Sequence, residues 1–131
     1  MMNLNDMVDL YESCLQIRNN TKKVKLVGGK AIKGTYIPDI DRIILYTKNI
    51  EDSDDYDITL MHEIHHACDY SLSESTVEQL AKDTKKNDQE MIDFVKDLWN
   101  VKYEDTKRRN IDLWWLSPDK YGIADLKKVE K

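Results

Sequence analysis

The sequence predicts an α+β fold: a first helix, a small antiparallel sheet of about three strands, and then a succession of helices. Three observations carry this. Apolar residues recur at spacings of three and four near the N-terminus, at a spacing of two between about residues 22 and 46, and again at three and four from Tyr56 to Trp99. With 131 residues there is room for one core, so residues 1–110 are expected to form a single domain and residues 111–131 an extension.

The first helix is read from Leu4, Val8, Tyr11, Leu15 and Arg18, with Asn3 or Asn5 as caps and Asn19-Asn20 as the stop. From Lys22, Val24 and Leu26 alternate with lysines and Gly28-Gly29 follows, which reads as a strand and a turn. Ile32, Gly34 and Tyr36 continue the alternation up to Pro38-Asp39, and Ile43 to Tyr46 is a third apolar run. The glycine pair is no phosphate loop, because no Lys-Ser/Thr ending follows and it leads to a strand. Asn49 to Asp55 is an acidic loop without the spacing or the closing Glu of a calcium loop.

Asp52, Ser53, Asp54 and Asp55 offer caps for the next helix and place negative charge at its positive end. After a break at Asp69 to Ser73, both Ser71-Leu72-Ser73-Glu74 and Ser75-Thr76-Val77-Glu78 have the form of a capping box. Val77, Leu80, Ala81 and Thr84, then Met91, Phe94, Val95, Leu98 and Trp99, outline one long bent helix or two in succession. Trp114, Trp115 and Leu116 are more apolar than a free terminus needs and are expected to pack on the domain.

A formal charge of −5 excludes a general nucleic-acid footprint, and the short basic runs Lys22, Lys23, Lys25 and Lys107, Arg108, Arg109 read as solvated faces. Cys14 and Cys68 form no C-x-x-C pair, which fits a reducing compartment. Met1 to Leu10 lacks a signal-peptide pattern, and no run of about 18 apolar residues occurs. A cytoplasmic protein with no membrane partner is expected.

The chemistry concentrates in His62-Glu63-Ile64-His65-His66, an H-E-x-x-H pattern. Helix positions four apart lie about 40° from eclipsing, so His62 and His66 aim at one point. Glu63 lies about 100° round from His62, poorly placed as a ligand but within reach of an attacking water. This is the layout of a zinc hydrolase. His65, next to His66, cannot easily complete a tetrahedral site, and no histidine follows position 66. The third ligand is therefore a carboxylate. Glu74 reaches the motif if the helix after Asp69 to Ser73 folds back; its alternative role is that of a capping residue. Glu78, one turn on, suits holding the outer nitrogen of His62 or His66. Asp69 is the alternative ligand, on the His62/His66 face if the motif helix runs that far.

Glu74-Ser75-Thr76-Val77-Glu78-Gln79-Leu80-Ala81 following H-E-x-x-H resembles the gluzincin arrangement. More narrowly, the chain resembles ImmA/IrrE-type metallopeptidases and their small, minigluzincin-like relatives in phages and mobile elements, over about Lys22 to Trp99. Their second motif reads roughly E-x-x-A-N-x-F-A; Val77 stands for the first Ala, Glu78 for Asn and Leu80 for Phe. Only Ala67 to Ser73 separate the two motifs, a shorter link than in the better-known members. The resemblance implies a zincin-like fold, Zn2+ on His62, His66 and Glu74, Glu63 as catalytic base, and a protein or peptide substrate, with a regulatory protein or repressor as the family's example.

The oxyanion donor stays open among Tyr36, Tyr46, Tyr56, Tyr70 and Tyr103. Two other readings stand beside an active endopeptidase. One is a non-catalytic metal-binding or protein-interaction module that docks through Trp114-Trp115. The other is a peptidase whose cleft is covered by its own C-terminal segment.

Overall fold

The structure, a computed structural model, describes residues 2–22 and 31–104. The strand expected at Val24 and Leu26, the Gly28-Gly29 turn and the extension from residue 111 with Trp114, Trp115 and Leu116 lie outside the described residues. Within them run α1 (Leu4–Glu12), β1 (Gln16–Asn20), β2 (Gly34–Ile37), β3 (Arg42–Tyr46), α2 (Ser53–Cys68), α3 (Glu74–Asn87) and α4 (Gln89–Trp99). The α+β class and the order of helix, sheet and helices are those the sequence predicts. No helix among the described residues is long and apolar enough to cross a membrane.

The first helix is shorter than its periodicity suggests. Asn3 caps it in a reciprocal box with Asp6, but it stops at Glu12. The Cys14 N–H donates to the Tyr11 carbonyl and the Leu15 N–H to that of Leu10, which is a Schellman closure. Cys14 occupies the left-handed position, φ 74°, where a glycine would have marked the stop. Its inward face also differs, since Met7 is fully buried while Leu4 and Tyr11 are about half exposed. Leu15 and Arg18 therefore leave the helix; Arg18 belongs to β1, where Ile17 points inward.

The sheet is mixed, with strand order β1-β3-β2. β1 runs parallel to β3, with Ile17 opposite Ile43, and β2 runs antiparallel to it, with Gly34 opposite Leu45. The sheet is thus not the antiparallel one the sequence predicts, because Gln16–Asn20, which continues the apparent period of the first helix, is a strand and pairs parallel to β3. β3 shows the alternation clearly, with Ile43 and Leu45 fully buried. They join Leu60, Met61 and Ile64 of α2 in the core, which Ala81, Met91, Ile92 and Val95 extend into α3 and α4.

The polar stretch before α2 ends at Asp52, whose carboxylate accepts the Asp55 N–H at 2.9 Å and caps the helix. α3 and α4 are two helices, and Asp88 serves both. Its backbone N–H closes α3 on the Thr84 carbonyl, and its side chain accepts the Met91 N–H of α4.

A buried carboxylate ties the three helices together. Asp57 of α2, 3% exposed, accepts from Lys85 Nζ of α3 at 2.8 Å and from Lys96 Nζ and Gln89 Nε2 of α4 at 2.9 and 3.2 Å. Burial pushes this carboxyl up, but the hydrogen bonds from Lys85, Lys96 and Gln89 outweigh it and hold the pKa below 3.8. The contribution is therefore complete above the ordinary carboxylate value and is lost as the pH falls through the lower, folded value. Asp57→Ala is expected to cost about 3 kcal/mol in denaturant unfolding near neutral pH, because it leaves Lys85 with only the exposed Asp54 carboxylate and Lys96 with only the exposed Asp93. The gap between wild type and variant should narrow as the pH is taken below 3.8.

Candidate metal centre

One stripe of α2 faces β2 and α3: Asp55, Ile58, Thr59, His62, Glu63 and His66, spaced as one face of a helix. α3 folds back across the short turn, so that its first residue, Glu74, meets the stripe. Glu74 Oε1 lies 3.0 Å from His62 Nε2, and Glu74 Oε2 lies 2.9 Å from His66 Nε2. The ring centroids of His62 and His66 are 5.0 Å apart. One donor atom from each of the three residues falls within 4.8 Å of the others, the cluster among the described residues that could hold a metal ion.

The donor set fits such an ion. Two imidazole nitrogens and one carboxylate are borderline ligands of the kind that divalent zinc takes, and a fourth side is left open to the cleft. Glu78 Oε1 lies 2.8 Å from His62 Nδ1. A neutral His62 that donates its Nδ1–H to Glu78 presents the Nε2 lone pair toward Glu74, the tautomer a metal requires. His66 has no such support among the described residues, where its buried Nδ1 meets no hydrogen-bond partner. The Glu74 side chain is 78% exposed, and an ion pair so open to water adds little to stability. Holding the fold together does not account for the arrangement.

Glu74 does not act as the capping residue of its helix. Ser73 is the N-cap, accepting the Thr76 N–H, and neither of the two capping boxes forms. Asp69 stands apart from the cluster. It ends α2, and its carboxylate accepts the backbone N–H and the hydroxyl of Ser71 at 3.1 and 2.6 Å, which hold it below the ordinary range. His65 points away from the centre, buried, with Nδ1 donating to the Met61 carbonyl at 2.7 Å.

Glu63 is buried beside the cluster, 7% exposed. Burial, opposed by His62 and reinforced by the charge of Glu74, pushes its carboxyl up to about 7. A carboxylate tuned to that range can both take and return a proton. A dication on the neighbouring donors would act against this rise.

The cleft over these groups encloses about 440 Å³ and is walled on one side by residues 32–36. β2 forms one edge of the sheet among the described residues, and its residues Gly34, Thr35 and Tyr36 line this space. Gly34 sets how closely strand and helix approach. A Cβ there would lie 2.9 Å from Thr59 Cγ2 and 3.3 Å from both Glu63 Cγ and Leu45 Cδ2. The sequence reading placed Gly34 in a strand without giving it this role, and it missed the Lys33–Asp55 ion pair, 3.0 Å, in the cleft wall. The signal was the helical spacing itself, which puts Asp55 and Thr59 seven and three residues before His62 on one face.

The chain matches no known family model, and no curated protein or solved structure is significantly similar to it.

Two outcomes are expected. In Zn2+ titrations monitored by calorimetry, Glu74→Ala should weaken binding by more than about 10-fold, while Asp69→Ala, which removes no donor and only loosens the turn before Glu74, should weaken it less. In thermal unfolding, Gly34→Val should cost about 1–3 kcal/mol by overpacking, with a smaller loss for Gly34→Ala when Thr59→Ser removes the opposing methyl.

Proposed function

We propose that the protein is a zinc-dependent endopeptidase that hydrolyses a peptide bond in a protein or peptide substrate. The observation that carries this reading is the convergence of His62 Nε2, His66 Nε2 and the Glu74 carboxylate on one point next to buried Glu63, in a cleft bordered by an edge strand. Held by those three side chains, zinc would polarise the scissile carbonyl and acidify the attacking water. Glu63 takes the proton of that water on its carboxylate and delivers it to the nitrogen of the leaving amine. Glu78 keeps the His62 ring oriented through Nδ1. The backbone of β2 offers hydrogen bonds to an extended substrate laid beside it, a sequence-tolerant mode of recognition.

The likeness to ImmA/IrrE-type peptidases of phages and mobile elements supports the same reading, and a regulatory protein or repressor as substrate rests on that likeness alone. Two free thiols, Cys14 and Cys68, suit a reducing cytoplasm.

Protein purified without chelators should carry about one zinc per chain by elemental analysis. Glu63→Gln should keep that metal while cleavage of a peptide library, followed by mass spectrometry, falls by at least about 100-fold. Protein that takes up no zinc returns the chain to the interaction-module reading. Full turnover in Glu63→Gln would sink the catalytic scheme.

A further inference from the structure

Five tyrosines are compatible with the sequence as donors to the reacting carbonyl, and the structure separates them. Tyr56 donates its hydroxyl to Asn19 Oδ1 at 2.7 Å and does not line the cleft. Tyr103 points its hydroxyl at the carbonyls of Ile50 and Glu51, 3.5 Å away. Tyr46 does not line the cleft. Tyr36 does, but its hydroxyl is committed to Asp41 Oδ1 at 2.8 Å. Tyr70 also lines the cleft, and its hydroxyl has no protein partner among the described residues.

The placement of Tyr70 is fixed from two sides. Its ring stands edge-on to the His66 ring at 6.3 Å and to the Tyr36 ring at 6.0 Å, and so spans the gap between the metal-binding cluster and the edge strand. Its backbone sits in a turn closed by the Leu72 N–H on the Asp69 carbonyl and braced by the two bonds from Ser71 to the Asp69 carboxylate. The residue is nonetheless 65% exposed, although it is a large aromatic group. A phenol that lines the cleft beside His66, with a hydroxyl committed to no protein partner among the described residues, is available to donate to something that enters the cleft.

We infer that Tyr70 is a catalytic residue of the proposed peptidase, its hydroxyl donating a hydrogen bond to the substrate's carbonyl oxygen as that oxygen gains negative charge. The inference rests on the peptidase reading above. In the step itself, the water oxygen bonds to the carbonyl carbon, the water proton passes to Glu63, and the C–N bond then breaks as that proton reaches the departing nitrogen. Tyr70 keeps its own proton throughout. It acts by stabilising the charge on oxygen, and Asp69 is a positioning residue that holds the turn presenting it.

The test uses the full-length protein loaded with Co2+, whose visible absorption reports the site, and two probes: a dipeptide phosphonamidate, which carries tetrahedral anionic oxygens, and the parent dipeptide amide. Tyr70→Phe keeps the ring contacts and removes only the hydroxyl. It should leave the cobalt spectrum and amide binding unchanged and weaken the phosphonamidate by at least about 10-fold, a loss of one charge-stabilising donor. Equal phosphonamidate affinity in wild type and Tyr70→Phe overturns the inference, as does a loss confined to Tyr36→Phe. A phosphonamidate that fails to bind cobalt-loaded wild type overturns it as well. Absence of any cobalt spectrum in wild type is a different result, because it removes the metal reading and the inference with it.

Discussion

The packing of α3 across α2 is the constraint on which the rest of the site depends. His62 and His66 are placed by the geometry of a single helix, but nothing in that helix supplies a third donor. The five residues from Asp69 to Ser73 reverse the chain tightly enough for the first residue of α3 to span both imidazoles, and for the second turn to reach the back of His62 through Glu78. The Asp57 network secures the same helices away from the cleft. Its carboxylate is buried and paired, whereas the Glu74 carboxylate at the cleft is open to water, and the two clusters therefore behave differently. One contributes to the cohesion of the fold, and the other is left available for chemistry.

Much of this was legible locally. The H-E-x-x-H spacing fixes the relative direction of its side chains once the segment is helical, and Asp52 announces the start of that helix. Glu74 and Glu78 are four apart on the next helix, so their common face was readable before any fold was known. What was not legible depended on partners far away in sequence or on a residue in an unusual role. Cys14 ends α1 in a conformation usually taken by glycine, and without that signal Leu15 and Arg18 continued an apparent helical period. β1 is polar on its outer side and short, and it shows itself as a strand only through its pairing with β3. Asp57 is separated from Lys85 and Lys96 by 28 and 39 residues, and no window of sequence connects them.

Asp69 shows how a structural role and a metal role compete for one residue. On an α2 one turn longer, it would join the face of His62 and His66. Because α2 ends at Cys68, its carboxylate turns to Ser71 and builds the reversal that brings Glu74 into place. Within this short loop the Asp69 side chain satisfies the Ser71 N–H and the Asp69 carbonyl that of Leu72.

Asp88 closes one helix and opens the next, so a single residue carries the boundary conditions of both. Its N–H satisfies the Thr84 carbonyl at the end of α3 while its carboxylate satisfies the Met91 N–H at the start of α4, so one substitution there removes the cap of α4 without touching the backbone bond of α3. The joint between them behaves as a shared hinge pin. The bonds that Asp88 makes lie at the opposite end of α3 from Glu74, so the helix that supplies the third donor is pinned at its far end by the residue that starts α4.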